Sequence, residues 1–166
     1  MDPIDLQLIK MLQENARMPL KALAAGVFLS SPATAARLER LERDGILAGY
    51  NANIDHKKLG YPIQAFINLE MHPQDKPDFY PFINAHPNVL ECDCVTGPYS
   101  MIIKVAFQST EALDTFINQL QIFGETQTQI VFSTAKSSPG VDIEAIARGD
   151  YPATPVLHRH GEDKKN

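Results

Sequence analysis

The sequence predicts an α+β protein: a winged helix-turn-helix over residues 1–50, a linker over 51–61, and a ferredoxin-like βαββαβ domain over 62–136. Three observations predict it. Apolar residues in the first fifty positions recur at helical spacing, in short runs separated by turn residues. From residue 63 the period falls to two in several stretches. Two helical patterns interleave with those stretches in the order strand, helix, strand, strand, helix, strand.

The elements follow in turn. Asp2-Pro3 places a capping side chain before a proline that fits a first helical position, and Leu8, Ile9 and Leu12 form the buried stripe behind it. A second helix is expected from about Pro19 to Ala25, with Leu20, Leu23 and Ala24 inward. Gly26-Val27-Phe28-Leu29-Ser30 is a tight connection. Ser31-Pro32 repeats the cap-plus-proline start, Leu38 and Leu41 mark a buried side, and Asp44-Gly45 stops the third helix. Ile46 to Tyr50 reads as a short strand or extended wing.

Asn51 to Tyr61 lacks periodicity and suits a hinge. Beyond it, Ile63, Ala65, Ile67, Leu69 and Met71 alternate with more polar residues. Asp78 is a candidate cap for a helix burying Phe79, Phe82 and Ile83, with Pro81 in its first turn. Val89 to Thr96 alternates again, Gly97-Pro98 turns the chain, and Met101, Ile103, Val105 and Phe107 form the inner face of a third strand. Ser109-Thr110-Glu111 opens a helix through Leu120, and Glu125 to Lys136 completes the sheet. Helices then cover one sheet face, while Phe66 and Ile102 on the other suit a second copy of the chain. Residues 137–166 are an extension: a short helix within Val141–Arg148, then a flexible charged end.

At 166 residues, 44% hydrophobic and 21% charged, the chain has the composition of folded globular protein. No run approaches the roughly 20 apolar residues of a membrane span, and Met1-Asp2-Pro3-Ile4-Asp5 lacks the order of a signal peptide. A cytoplasmic location without membrane contact is expected. The net charge of −5 is unevenly divided: residues 1–58 hold eight bases and seven acids, the remainder seven bases and thirteen acids. The N-terminal part is therefore the side to face a polyanion.

The third helix carries the functional expectation. Ser31, Pro32, Thr34 and Ala35 at its start are small enough to approach base edges in a major groove, and Arg37, Arg40 and Arg43 reach toward phosphates. The same arginines also suit a solvated face, paired with Glu39, Glu42 and Asp44.

An ordered set of motifs separates these readings. Asp2-Pro3-Ile4-Asp5, Ile9, Leu12, Arg17, Leu23-Ala24, Val27-Phe28-Leu29-Ser30, Arg37 through Leu47, Gly49-Tyr50 and Leu59-Gly60-Tyr61 together resemble the leucine-responsive and asparagine-regulator (Lrp/AsnC) family. The resemblance implies a transcriptional regulator with double-stranded DNA as partner, assembling as dimers and rings up to octamers and binding amino acids. It places an amino-acid effector at Gly97, Pro98, Tyr99 and Ser100 in the turn and at Thr126 and Thr128 on the last strand. Three positions depart from the family: Phe28 stands where glycine is usual, Ala36 where a base is common, and Ser100 where many relatives carry an acid for the ligand's ammonium group. A serine offers only a neutral hydrogen bond there.

Other chemistries find little support. Cys92 and Cys94, read as sharing a strand face with Leu90, suit buried thiols better than a metal site, and no common zinc spacing is present. No nucleotide-binding or nucleophile motif appears, so no cofactor, metal or catalytic residue is expected. Siroheme decarboxylases resemble the family in both domains, but their basic and aromatic signature includes tryptophan, and this chain has none. A sensing or assembly protein of the same fold without DNA binding is the remaining alternative.

Overall fold

The structure, a computed structural model, describes residues 1–137 and 140–149. These form two compact units: residues 1–52 with the described part of the C-terminal segment, and Asn53–Ser137.

In the first unit, α1 (Pro3–Glu14) begins at a reciprocal cap. The Asp5 N–H donates to Asp2 Oδ1 at 2.9 Å while the Asp2 N–H donates to Asp5 Oδ2 at 3.1 Å, so two otherwise orphaned donors are satisfied at once. After α2 (Leu20–Gly26) comes α3 (Ser31–Arg43), whose cap is Ser30 rather than Ser31: Ser30 Oγ accepts from the Ala33 N–H at 3.3 Å. The helix begins one residue earlier than a Ser31 cap would imply, because Ser31 is already its first helical residue. At its other end Gly45 takes a left-handed φ of 71°. Gly45 N–H then donates to the Glu42 carbonyl and Ile46 N–H to the Leu41 carbonyl, the paired bonds of a Schellman stop.

That stop also explains the missing wing. Ile46 and Leu47 both donate to the Leu41 carbonyl, and residues 46–50 form no strand. Leu8, Leu12, Leu23 and Val27 make the core, with Leu29, Leu38 and Leu47 packed around it. The short helix of the extension, α6 (Ile143–Arg148), belongs to this same unit. The charged end expected to be flexible lies outside the described residues.

The second unit opens with a tight turn over residues 55–61, held by Asp55, His56 and Lys57 carbonyls accepting from Leu59, Tyr61 and Gly60. This segment expected as a hinge therefore has local structure of its own. Then follow β1 (Ile63–Met71), a single 3-10 turn, α4 (Lys76–Ala85), β2 (Val89–Cys94), β3 (Met101–Phe107), α5 (Thr110–Leu120) and β4 (Gly124–Ile130). The sheet order is β2-β3-β1-β4, with all three neighbouring pairs antiparallel. This is the split arrangement that the element order predicts.

β1, like β3, is an inner strand with both of its edges paired. Its alternation sends Ala65, Ile67, Leu69 and Met71 into a core shared with Met101, Ile103, Val105 and Phe107 of β3. Phe79 and Ile83 of α4 and Leu113, Phe116 and Leu120 of α5 close that core from one side.

Three local expectations change. α4 starts at Lys76, ahead of Asp78, so Pro77 occupies the first turn and Pro81 falls inside the helix. A bulge between Val89 and Glu91 shifts the β2 register. It breaks the shared face of Leu90 and the cysteines: Cys92 packs on the core beside Val89, while Leu90 is exposed. Burial, assisted by Asp93 and Cys94, pushes the Cys92 thiol up to about 11, which disfavours the reactive thiolate. β4 ends at Ile130, six residues before the expected Lys136.

Ile67 is fully buried at the middle of β1. Ile67→Ala is expected to cost about 2–5 kcal/mol, through lost transfer energy and the cavity left behind. A urea melt followed by amide signals of β1 and β3 measures it.

Candidate nucleic-acid interface and small-molecule cleft

Asp5 is only 1% exposed, and a buried carboxylate must find charged or hydrogen-bonding partners. Two come from α3. Arg37 Nη1 donates to Asp5 Oδ1 at 2.9 Å and to Asp2 Oδ2 at 2.6 Å, and Arg40 Nη2 donates to Asp5 Oδ2 at 2.6 Å. The two acids that cap α1 therefore also clamp α3. The Arg37 hydrogen bond is the largest influence holding the Asp2 carboxyl below its ordinary value, and the Asp5 N–H adds to it. Asp2, then Asp5, raise the Arg37 guanidinium in return.

This clamp corrects the expectation for two residues. Arg37 and Arg40 bind neither Glu39, Glu42 nor Asp44; their partners lie one helix away on α1, and Arg40 keeps 43% of its side chain exposed. Arg43 is different. Its side chain is 72% exposed and its nearest acid, Asp44, is 3.9 Å away. Thr34 is corrected outright: it is fully buried, and its hydroxyl donates to the Ser30 carbonyl at 3.0 Å. It holds the helix start and cannot touch a base.

What α3 presents outward is Pro32, Ala33, Ala36, Glu39, Glu42 and Arg43, with Ser31 and Ala35 half-buried beside them; Glu42 accepts from the Tyr50 hydroxyl at 2.6 Å. Glu39 was not among the expected contacts, although its spacing from Pro32 and Arg43 puts all three on one helical face. The exposed start is small and uncharged, and it lies at the positive end of the helix dipole.

The expected effector residues do not converge within one chain. Thr126 and Thr128 pair with Leu69 and Ile67, and so share the helix-covered face of the sheet. Tyr99 instead donates its hydroxyl to Gln127 Oε1 at 3.0 Å, on the opposite face. Ser100 lies in the seam: its Oγ accepts from the Met71 N–H and donates to the Met71 carbonyl, each at 3.0 Å. Its backbone N–H also donates to the Leu69 carbonyl at 2.9 Å. The serine thus extends the β1–β3 pairing, and its hydrogen bonds are spent on the fold. Gly97, at φ 118°, and exposed Pro98 shape the turn.

A cleft of ≈ 660 Å³ opens nearby, lined by Glu70, His72, Gln121, Gly124, Glu125 and Thr126. Of the expected effector residues, Thr126 lines it. Glu70 and Glu125 face each other across β1 and β4, a like-charge pair that destabilises an isolated sheet. These carboxylates have no signal in sequence, because only the strand register makes them neighbours. Among the described residues no group of three or more His, Cys, Asp or Glu side chains could hold a metal ion.

A helix-turn-helix unit followed in the chain by a βαββαβ unit defines a class of regulator, and comparison with known proteins places the chain within it. Residues 1–42 match the AsnC-type helix-turn-helix domain, and residues 64–141 match the Lrp/AsnC ligand binding domain. The chain belongs to the Lrp/AsnC family of helix-turn-helix transcriptional regulators. It is 37% identical over 139 residues to the Bacillus subtilis regulator YezC, covering 84% of this chain and 99% of YezC. The structure of Bacillus subtilis LrpC superposes with a TM-score of 0.79 at 30% identity, covering 83% of this chain and 99% of that one. A Neisseria meningitidis regulator solved as a complex with L-Met shares the fold, with a TM-score of 0.81 at 24% identity over 88% of this chain and 99% of that chain.

Two outcomes follow from the clamp. Asp5→Ala is expected to destabilise the first unit by about 2–3 kcal/mol, below the range for a fully buried pair because both guanidiniums keep some solvent; thermal unfolding followed by α1 and α3 amides reads it. The folded Asp2 carboxyl lies below its ordinary 3.8, so its contribution is complete above that value and disappears as pH falls through the lower folded value. An acid titration of the first unit should show this loss, and Asp2→Asn should remove it.

Proposed function

We propose that the chain is a sequence-specific, non-enzymatic DNA-binding regulator that reads a major groove with the outward start of α3. The observation that carries this reading is the clamp. A short helix with a small, exposed N-terminal face is fixed against α1 by Asp5, Arg37 and Arg40, which gives it the rigidity that base readout requires. Ser31, Pro32 and Ala35 then approach the bases, joined by Ala33 and Ala36, while Arg43 supplies a phosphate contact. Arg37 and Arg40 act as positioning residues.

Assembly belongs to the same proposal. The sheet face away from α4 and α5 exposes 38% of Phe66, with Lys104 Nζ 6.0 Å from its ring centre. Asn68 and Gln127 pair beside it and Ile102 is half-buried. Such mixed apolar and polar character suits a second copy of the chain, and closed rings of dimers up to the octamer would multiply a modest single-helix affinity.

We place a small amino-acid-like effector at the Glu70, His72, Glu125 and Thr126 cleft, whose volume lies within the usual range for small ligands. There the carboxylates, not Ser100, would meet an ammonium group. The family resemblance supports the ligand class, and the facing carboxylates support the position.

The decisive experiment enriches duplexes from a random-sequence pool and titrates the recovered DNA by anisotropy at several salt concentrations. Affinity should fall linearly with the logarithm of salt. Arg43→Ala should weaken all sequences alike and lower that slope by about one, whereas Thr34→Val should leave sequence preference intact. Failure to enrich any sequence would leave a sensing or assembly protein, a reading favoured by the engagement of two of the three α3 arginines with α1. For the effector, Glu125→Gln should abolish any amino-acid response of DNA binding and Ser100→Ala should leave it in place; the reverse pattern returns the site to the turn.

A further inference from the structure

Phe28 carries a backbone strain that nothing within the described chain rewards. It is the only non-glycine residue with positive φ among the described residues, at 55°, a region unfavourable for a bulky side chain. Its ring is 95% exposed, so core packing does not hold it there. Its neighbours Val27 and Leu29 point into the core of the first unit. The turn itself is held by main-chain bonds, Phe28 N–H to the Ala25 carbonyl at 3.3 Å and Leu29 N–H to the Ala24 carbonyl at 3.0 Å. Glycine would keep both bonds without the strain. A strained residue with an unused apolar ring points to a contact outside the chain.

Position and charge select the kind of contact. Ser30, two residues on, caps α3, so the ring borders the helix start assigned above to base readout. From residue 15 to residue 38 the sequence contains Arg17, Lys21 and Arg37 and no acidic residue at all. The ring therefore sits within the one long stretch of the first unit that repels no polyanion. We propose that Phe28 is a DNA-contact residue, its ring packing on apolar duplex surface beside the start of α3. That surface is either a thymine methyl group or the face of a deoxyribose. The inference rests on the DNA-binding reading above.

Phe28→Gly separates the structural role from the binding role, because the two predict opposite signs. Thermal melting and anisotropy are measured for wild type, Phe28→Gly and Phe28→Leu, using a duplex enriched from a random pool by the wild-type protein and the same duplex with uracil for thymine. Phe28→Gly is expected to melt several degrees higher and to bind about tenfold more weakly. Phe28→Leu should melt near wild type and retain part of the affinity. If uracil substitution weakens wild type but not Phe28→Gly, the contact is the thymine methyl; if it affects neither, the contact is the sugar. Phe28→Gly that binds as tightly as wild type overturns the inference and turns the ring toward a protein partner, while the DNA reading stands. A lower melting temperature for Phe28→Gly overturns its premise of strain. If wild type enriches no duplex, both readings fall together.

Discussion

The first unit depends on how the chain neutralises one buried carboxylate. Asp5 sits inside the packing of α1 and α3, where an unpaired charge would be far too costly to keep. Its oxygens are shared between the N-cap backbone and two guanidiniums, and Asp2 accepts from the same Arg37 nitrogen, Nη1. One small cluster thereby starts α1, sets the rotation of α3 about its own axis, and decides which α3 residues face outward. With Arg37 and Arg40 drawn inward, the outward stripe falls on Pro32, Ala36, Glu39 and Arg43. The reach of the helix toward a partner is a consequence of an internal ion cluster.

The second unit solves a different problem. Its central strand must be buried on one face and paired on both edges, and a strict apolar alternation achieves the first while β3 and β4 supply the second. Ser100 extends this logic: a side chain placed where a ligand contact is expected instead stitches the end of β3 to Met71. The like-charged Glu70 and Glu125 are the opposite case, since their juxtaposition weakens the sheet and serves it in no visible way. Sites that disagree with local stability in this fashion are where function is best sought.

Much of this was legible in the residues themselves. Period two and period 3.6 are direct consequences of strand and helix geometry, so β1, β3, α1 and α5 follow from apolar spacing with little ambiguity. The cap at Asp2 and the stop at Asp44-Gly45 are local backbone chemistry and survive intact in the structure. Ends without such punctuation drifted: α4 began earlier than Asp78, and β4 ended before Lys136, because neither boundary carries a side chain that must act there.

The sequence by itself determined the two-unit α+β plan, the helix-turn-helix and the family, because each rests on periodicity or on an ordered motif along the chain. Only the tertiary structure decided the roles of individual side chains. That Thr34 is buried, that Arg37 and Arg40 answer to Asp5, that Ser100 is consumed by Met71 and that Glu70 meets Glu125 all depend on residues far apart in the chain or on helix rotation. Such pairings are set by packing and strand register, which a one-dimensional pattern does not contain.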